Sequence, residues 1–423
     1  MLPYPRFKFY TDIKDTLSDC VALFKNQSDA AIPQLKDVLC AEFNRSHCDF
    51  FSSFRMSVYY FLKALKLSPG SEVIITPIHI PDLVNVILLL ELKPIFVDLS
   101  LNTHSICESD LDKKLTNKTR VVINTYLSGI VPNSSNISSK LSERSIFYIE
   151  DISQAYFSSN MDKYNFQADI LMGSLSPGKL IQSYTGGFIL YNKAVFDLAQ
   201  VVKNESTQSK RFFLRQLRKT LTIQIFTSRY IFPIVYAFLY LSWCFAPNLL
   251  KRLKHVSFSS KANSSDEFYD QIPKLRKSIP STWKAIYGPW QARCTLRSFR
   301  KNKINSQKRK QLGKLLLSKL DQKVIKIIPQ ECFNSNFNFY HLPIYASHKR
   351  LVLHKMILNG LDSEGYGLNL CTQEAIFAPF VNECSNAKFI KNHCIFIPLH
   401  ETYTIKDIAN IAKGINNVFK YNS

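Results

Sequence analysis

Lys179 lies in the segment GSLSPGKL, residues 173–180, where small and turn-forming residues surround a single amine. Apolar runs precede and follow this segment, so we expect a tight loop between two strands. A lysine amine held in such a loop could attack a carbonyl group and form a covalent intermediate. The alternative is an ordinary solvated lysine, which is the commoner case in a basic protein.

Asp151 and Gln154 stand at the end of another predicted strand. Asp151 follows the apolar run IFYI, with Glu150 between them. A carboxylate at the carboxyl end of a strand in an open α/β sheet is well placed to meet a ligand. Gln154 would share a face with Asp151 on a helix that began at residue 151. Capping of that helix explains Asp151 equally well, and Gln154 alone is an ordinary polar residue.

A third group of residues predicts an anion site. Ser53 is placed as the N-cap of a helix predicted over 54–66, whose apolar residues recur at helical spacing. The free N–H groups at a helix start can bind a phosphate, and the forked guanidinium of Arg55 could add charged hydrogen-bond donors. A plain cap is the alternative. The pair Gly186 and Gly187 predicts a close backbone approach or a tight turn before a strand.

The first half of the chain predicts a framework for these residues. Short apolar runs alternate there with helical patterns, and the runs are EVIITP, PIFVDL, TRVVINTYL, SIFYIED, ADILMGS and GGFILYN. Buried strands that alternate with helices are typical of an α/β layer with a largely parallel sheet. Asp151 and the Lys179 loop then lie near strand ends, where such sheets bind ligands.

The order of these features resembles the sugar aminotransferases of the DegT/DnrJ/EryC1/StrS family, which are fold-type I pyridoxal phosphate enzymes. A phosphate-type helix start is followed by strand–Asp–x–x–Gln, then Ser–x–x–x–x–Lys, then Gly–Gly before a strand. The resemblance is good over residues 50–200 and looser over 285–420. The matching stretches are KALKLSPGSEVIITP, KPIFVDLSLNTHSI, YIEDISQAY, GSLSPGKL and TGGFIL.

The resemblance implies a role for each residue. Lys179 would hold the aldehyde of pyridoxal 5'-phosphate covalently and then move protons. Asp151 would pair with the pyridine nitrogen, which makes the ring an electron sink. Gln154 would lie beside the ring, and Ser174 and the helix start would hold the phosphate. The implied cofactor-binding set is Ser53, Phe54, Arg55, His79, Asp151, Gln154, Ser174 and Lys179, with His79 stacked on the ring.

Two stretches depart from the family pattern. The family has small residues at the phosphate helix, where Phe54 removes the flexibility that a glycine would give. The family also tends to carry Asn or Arg before the QA helix, reaching the partner subunit's site. Lys284, in WKAIYGPWQAR, is the nearest candidate for that position. Some relatives replace the lysine with histidine and perform dehydration, so the presence of Lys179 favours transamination.

Composition and charge limit the classes of ligand and partner that we expect for this protein. The net charge of +22 suits nucleic acid, an anionic membrane surface or phosphorylated substrates. No nucleic-acid motif accompanies the charge, so we do not expect nucleic acid. The ten cysteines form no CxxC pair and the histidines no HxxxH pattern, which favours free thiols and no metal site. The first residues lack a signal-peptide pattern, so we expect a cytoplasmic protein.

Residues 230–247 are almost entirely apolar, with Arg229 before them and a basic run at 251–254 after them. The segment is slightly short for a bilayer and contains Pro233, so a spanning helix is the weakest interpretation. An interfacial helix at the inner face of the membrane and a buried subunit or domain contact explain the segment equally well.

We therefore predict an arm over 1–50, a large cofactor-binding α/β domain over 51–256, a linker over 257–283 and a small α+β domain over 284–423. The expected protein is a homodimer that moves an amino group from an amino acid, expected to be glutamate, to a nucleotide-linked ketosugar. The product would serve cell-surface polysaccharide or lipopolysaccharide synthesis. The alternatives are another pyridoxal phosphate reaction, such as dehydration or amination of a non-sugar ketone, and a catalytically idle membrane-associated relative.

Overall fold

The computed structural model describes residues 3–25, 30–156, 166–192, 205–245, 273–397 and 399–420. The basic run predicted at 251–254 and most of the linker predicted over 257–283 lie outside these residues. The last two residues of the apolar segment 230–247 lie outside them as well.

A central sheet occupies the first half of the chain. The strands there are β1 (His47–Phe51), β2 (Glu72–Ile75), β3 (Ile78–His79), β4 (Lys93–Phe96), β5 (Thr119–Thr125), β6 (Phe147–Asp151), β7 (Ile170–Ser174) and β8 (Gly187–Tyr191). Within the described residues, seven of them form one sheet in the order β1–β8–β7–β6–β5–β2–β4. The strands from β7 to β4 are parallel neighbours, and β8 and β1 join antiparallel. The mostly parallel α/β fold predicted from the sequence is confirmed.

Helices cover both faces of this sheet. They are α1 (Ile13–Ala22), α2 (Ala31–Phe43), α3 (Phe54–Ala64), α4 (Pro81–Leu88), α5 (Glu108–Lys114) and α6 (Ser135–Glu143). Successive strand residues point to opposite faces, so Val73 packs with α3 and α4 whereas Ile74 packs with α5 and α6. This double burial explains why the strands read as continuous apolar runs in the sequence.

The second half of the chain is mainly helical. It contains α7 (Lys210–Phe226), α8 (Phe232–Phe245), α9 (Pro289–Ser318), α10 (Gln322–Ile325), α11 (Lys349–Leu358), α12 (Ser385–His393) and α13 (Ile405–Lys420). Strands β9 (Leu342–Tyr345) and β11 (Cys394–Ile397) pair antiparallel, and β10 (Asn369–Leu370) pairs with β3 of the first half. Short 3-10 turns lie at Leu127–Gly129, Ser281–Trp283, Gln330–Phe333, Cys371–Gln373 and Ala375–Phe380.

The C-terminal part has an apolar core of its own, to which α9, α11, α13, β9 and β11 contribute. This core agrees with a small α+β domain, although the domain boundaries stay a prediction. At the other end of the chain, β1 pairs with β8 at the sheet edge, so the sheet takes in the end of the predicted arm over 1–50. No helix in the described ranges combines the length and apolarity needed to cross a bilayer.

Candidate active site

Asp151 is the last residue of β6 and is buried. Its Oδ1 accepts hydrogen bonds from the backbone N of Ser153 at 3.0 Å and from the Ser153 hydroxyl at 2.5 Å. Because two bonds hold one oxygen, the carboxylate has a fixed direction. Its other oxygen, Oδ2, lies 3.6 Å from Nε2 of His79. Asp151 thus presents one carboxylate oxygen to the space beside His79.

His79 supplies a flat ring surface next to Asp151. Its Nδ1 accepts a hydrogen bond from the backbone N of Ile80 at 2.8 Å, so in the neutral ring the proton sits on Nε2. In the described part of the chain, this buried Nε2 has no hydrogen-bond partner. The His79 ring stacks on Phe54, with centroids 5.8 Å apart and planes at 25°. The structure therefore brings together three residues predicted for the site.

The loop between β7 and β8 holds Lys179 in place through its backbone. Lys179 N donates to the Ser176 carbonyl at 3.2 Å, and the Tyr340 hydroxyl donates to the Gly178 carbonyl at 3.0 Å. Gly178 has a φ of +86°, and a Cβ there would lie 2.7 Å from the Phe7 ring. A glycine is required at this position, which explains the small residues before the lysine.

The Lys179 amine is buried close to Asp151. Burial lowers the pKa of Lys179 to about 8, although the negative charge of Asp151 opposes this effect. Its Nζ lies 5.8 Å from the centroid of the Tyr340 ring. Burial, together with the lysine charge, lowers the pKa of His341 to about 3, so this neighbour is neutral. A substantial fraction of the amine is thus unprotonated just above neutral pH, as a nucleophile requires.

Ser153 connects the ends of two neighbouring strands. Its hydroxyl donates to Asp151 and accepts from the backbone N of Ser174, the last residue of β7, at 2.9 Å. The Ser174 hydroxyl is 2.7 Å from the Ser176 hydroxyl. Ser174 and Asp151 therefore lie on the same edge of the sheet. The sequence prediction missed Ser153, although an Asp followed two residues later by Ser is typical of an Asx turn.

Gln154 does not lie on a helix that begins at residue 151, so that prediction is wrong. The chain forms a turn here, because the Asp151 carboxylate takes the Ser153 N–H into an Asx-type bond. The Gln154 side chain nevertheless points inward, and its Oε1 accepts from the backbone N of Ser128 at 2.8 Å. Ser128 has a φ of +63°, a conformation that few residues other than glycine adopt.

Behind Gln154 lies a buried polar network that the sequence did not reveal. The Ser128 hydroxyl is 2.5 Å from the Tyr366 hydroxyl, which is 2.5 Å from Nδ1 of His104. Nε2 of His104 is 2.7 Å from the Tyr345 hydroxyl. Burial lowers the pKa of His104 to about 3, so the ring is neutral. The network joins the turn at Gln154 to residues of the C-terminal part.

The N-terminus of α3 lies against the start of β8. A Cβ on Gly187 would lie 2.6 Å from the backbone N of Phe54, which confirms the close approach predicted from the Gly pair. Ser53 is the N-cap residue, as predicted, but its side chain makes no capping hydrogen bond. The Ser53 side chain therefore caps none of the N–H groups at this helix start, and phosphate binding there stays a prediction.

Arg55 is engaged in an ion-pair cluster beside this helix start. Its guanidinium lies 2.7 Å from Oδ2 of Asp82, and Arg276 lies 2.5 Å from Oδ1 of the same carboxylate. Both guanidinium groups lie over the Trp283 ring, at 4.5 Å and 4.3 Å from its centroid. Much of the Arg55 charge is thus neutralised by Asp82, and a phosphate role for Arg55 stays a prediction.

We name the side-chain cluster of His79, Asp151, Lys179 and Tyr340 the Lys179 pocket. Its residues fit pyridoxal phosphate in chemical terms. A buried amine with a lowered pKa, a directed carboxylate oxygen and a flat imidazole ring with a buried Nε2 lie together. These are the groups that bind a pyridine aldehyde, its ring nitrogen and its face. The individual roles stay predictions.

Comparison with known proteins agrees with this interpretation. Residues 27–219 match the DegT/DnrJ/EryC1/StrS aminotransferase family. The chain is 32% identical over 144 residues to GDP-perosamine synthase of Escherichia coli O157:H7, which is 34% of this chain. The match spans only 40% of that relative's length.

Solved structures show the same fold over nearly the whole chain. Helicobacter pylori PseC, an aminotransferase involved in the biosynthesis of pseudoaminic acid, superposes with a TM-score of 0.68 at 15% identity, covering 99% of both chains. The E. coli GDP-4-keto-6-deoxy-D-mannose-3-dehydratase with bound hydrated PLP gives 0.69 at 13% identity, covering 98% of this chain and 100% of that one. Residues 27–219 of this chain therefore match the DegT/DnrJ/EryC1/StrS aminotransferase family, the family that the sequence motifs resemble.

Proposed function

We propose that this protein is a pyridoxal phosphate-dependent aminotransferase that converts a nucleotide-linked ketosugar to an amino sugar. The observation that carries the proposal is the Lys179 amine, which is buried, has a lowered pKa and lies near Asp151. The family match supports both the reaction class and the cofactor. The printed name of the E. coli relative, GDP-perosamine synthase, supports a nucleotide-linked sugar as the acceptor.

Each residue of the Lys179 pocket has a defined task in this proposal. When bound, pyridoxal phosphate supplies an electron sink for the negative charge that develops at the carbon bearing the amino group. Asp151 would pair with the ring nitrogen through Oδ2, because Ser153 holds the other oxygen. His79 would pack against the ring, and Ser174 and the start of α3 would hold the phosphate.

Lys179 is the residue that moves protons. Because its pKa is lowered to about 8, the amine both accepts and releases a proton near neutral pH without a large free-energy difference. The Ser176 and Gly178 bonds fix the backbone from which the side chain extends. The neutral His341 beside it does not compete for the proton.

We infer that the amino donor is glutamate and that the acceptor carries a diphosphate, to which the net charge of +22 is complementary. We also infer a homodimer with Lys284 directed toward the partner's site. Lys284 is exposed and follows Trp283, whose carbonyl accepts a 2.5 Å hydrogen bond from Ser52. Lys284 therefore lies beside the helix start that would hold the phosphate. The product would serve cell-surface polysaccharide or lipopolysaccharide synthesis.

We infer that the protein works in the cytoplasm at the inner face of the membrane, with the segment 230–247 in peripheral contact. The exposed apolar side chains of α8 support this location. An enzyme that prepares sugars for lipid-linked assembly would gain from being held near the bilayer.

The test uses purified full-length protein, glutamate and a panel of nucleotide-linked ketosugars beside non-sugar ketones. We expect 2-oxoglutarate and an amino sugar to form together, and to disappear in Lys179→Ala. Lys113→Ala, which removes an exposed lysine, is the matched control and should keep full activity. Loss of water from the sugar without use of glutamate would show a dehydratase instead, and turnover of the non-sugar ketones alone would exclude the sugar acceptor.

A further inference from the structure

Helix α1 carries its polar residues inward and its apolar residues outward. Its buried side presents Asp19, whose carboxylate accepts from the Tyr184 hydroxyl at 2.7 Å and forms an ion pair with Arg297. The outward apolar residues recur at helical spacing and are Ile13, Leu17, Val21 and Phe24, with exposed fractions of 36%, 51%, 59% and 61%. A surface helix normally has the reverse arrangement, so this stripe indicates a partner.

Helix α8 also exposes an apolar stripe. Ile234, Phe238 and Leu241 are 71%, 53% and 54% exposed and lie on one side of the helix. The opposite side is anchored, because Phe232 is buried and the Tyr236 hydroxyl donates to the Ile357 carbonyl. The exposed side chains are therefore held outward by packing on the body of the protein.

Helix α7 places positive charge beside these stripes. Arg211, Arg215 and Arg218 are exposed and recur at helical spacing, whereas Phe213 and Leu217 between them are buried. The end of α7 and the turn after it are apolar again, and their exposed residues are Ile225, Phe226 and Tyr230.

Helices α1 and α7 are neighbours, and α8 follows α7 after a turn of five residues. Gln224 at the end of α7 donates to the Thr11 carbonyl at 2.7 Å, and Lys210 at its start lies 5.8 Å from the Phe24 ring centroid. Helices α1 and α7 therefore run antiparallel. Both rest on Trp290 of α9, since its ring nitrogen donates to the Asp19 carbonyl and its ring lies 4.6 Å from that of Phe213. The sides facing away from Trp290 thus share one direction.

We propose that the outward sides of α1, α7 and α8 form one surface that binds an anionic lipid bilayer. We name this set the bilayer surface: Ile13, Leu17 and Val21 of α1 with Phe24 just after it, the three arginines of α7, and Ile234, Phe238 and Leu241 of α8. The apolar side chains enter the boundary between head groups and acyl chains, and the arginines bind lipid phosphates. The proposal extends the contact of segment 230–247 to two more helices, and it does not depend on the transamination reaction.

Charge favours a bilayer over a second copy of the chain. In a twofold contact the same patch meets itself, so the arginine stripes of α7 would approach each other. Each copy also carries a net charge of +22, which opposes self-association through a basic face. An anionic lipid bilayer instead offers an apolar interior to the exposed apolar side chains and negative head groups to the arginines.

The test is sedimentation of full-length protein with vesicles of phosphatidylcholine, with or without phosphatidylglycerol. We expect binding only to the vesicles with phosphatidylglycerol, and weaker binding as salt is added. Removal of all three arginines in Arg211→Gln/Arg215→Gln/Arg218→Gln should weaken binding about 100-fold, since each arginine near a lipid surface is worth about a factor of five. Leu17→Asp and, separately, Phe238→Asp should each weaken it by about tenfold or more.

Matched controls lie on elements outside the bilayer surface. Lys113→Gln/Lys118→Gln/Lys388→Gln removes three exposed lysines, and Phe389→Asp changes an exposed aromatic residue on α12, which is anchored at Asp98. Both should bind vesicles like the wild type. Circular dichroism identifies any variant that fails to fold, and the two single apolar variants test separate helices. Equal binding with and without phosphatidylglycerol, or an equal loss in the controls, would overturn the proposal. So would a dimer that dissociates in Leu17→Asp while vesicle binding stays unchanged.

Discussion

The Lys179 pocket and the bilayer surface depart from the usual arrangement of side chains in opposite ways. The pocket buries an amine and a carboxylate, which proteins normally keep in water. The bilayer surface exposes Leu17, Phe238 and their neighbours, while α1 directs Asp19 inward. The rest of the large domain follows the common rule, with continuous apolar strands between two helical layers.

The two regions differ in whether their unusual side chains have partners within the protein. In the pocket, hydrogen bonds hold Oδ1 of Asp151 and the Tyr340 hydroxyl, and Ser153 connects Asp151 with the end of β7. At the bilayer surface, the outward apolar residues are not covered by any other part of the chain that the structure describes. Buried charge with partners is typical of a site for chemistry, whereas exposed apolar area without partners is typical of a contact with another body.

The largest expected effect concerns the carboxylate of the pocket. Asp151→Asn keeps the shape but removes the charge, so the ring nitrogen loses its ionic partner. We expect kcat/KM to fall on the order of 10³-fold, the scale of breaking a buried ion pair. Asp112→Asn changes an exposed carboxylate that pairs with Lys140 and should leave the rate unchanged. An Asp151→Asn variant with wild-type turnover would remove Asp151 from the mechanism.

The burial of Lys179 should also be measurable as a cost in folding free energy before the cofactor binds. Its pKa is lowered from 10.5 to about 8 in the folded chain. Below pH 8 the Lys179 amine is protonated in both the folded and the unfolded chain, but burial destabilises the charged form in the folded chain alone. Lys179→Met removes this penalty and should therefore raise the unfolding free energy of the cofactor-free protein by on the order of 3 kcal/mol. The gain should shrink as the pH rises from 8 and vanish above 10.5, when both states are neutral.

Denaturant unfolding at several pH values measures this difference, with Lys113→Met as the matched control. A Lys179→Met variant with unchanged stability at neutral pH would mean that the amine is hydrated in the folded protein. A gain that does not depend on pH would instead reflect better packing of the methionine side chain.

A smaller effect is expected behind Gln154. His104→Phe breaks the bonds to Tyr345 and Tyr366 and leaves Ser128 with one fewer anchor. Because Ser128 N–H positions Gln154, we expect kcat to fall by about tenfold with little change in KM, and His104→Gln to restore part of the loss. If the folded His104→Phe variant kept the full kcat and only its stability fell, the network would be structural alone.

The smallest effect tests whether the two regions are independent. Leu17→Asp, which should reduce vesicle binding, should leave the transamination rate in detergent-free solution within about twofold of the wild type, because distant sites act additively. A parallel loss of activity in solution would show that the bilayer surface and the Lys179 pocket are coupled.

Much of the fold and part of the pocket could be predicted from local sequence. Strands buried on both faces appear as apolar runs, and strand ends locate Asp151 and Lys179. The position of Ser153 could also have been inferred, because an Asx turn is a local pattern. The inverted polarity of α1 could not, since Asp19 is satisfied by Arg297 and Tyr184, which are far away in sequence.

Partners that are far away in sequence also explain the other features that the sequence did not predict. His104 looks like any loop histidine until the C-terminal part brings Tyr345 and Tyr366 to it. The position of Arg55 at a helix start predicts phosphate binding, but no local pattern predicts that Asp82 and Arg276 meet it there. Side-chain partners of this kind are set by tertiary packing and not by spacing along the chain.

The most direct test of the central hypothesis is the absorbance spectrum of the wild type beside Lys179→Ala, each mixed with pyridoxal phosphate and then treated with borohydride. We expect the wild type alone to show an absorbance band that borohydride removes, with the reduced cofactor attached to Lys179 in the mass spectrum. The same borohydride-sensitive band in Lys179→Ala, or attachment of the cofactor at another lysine in the wild type, would contradict the account.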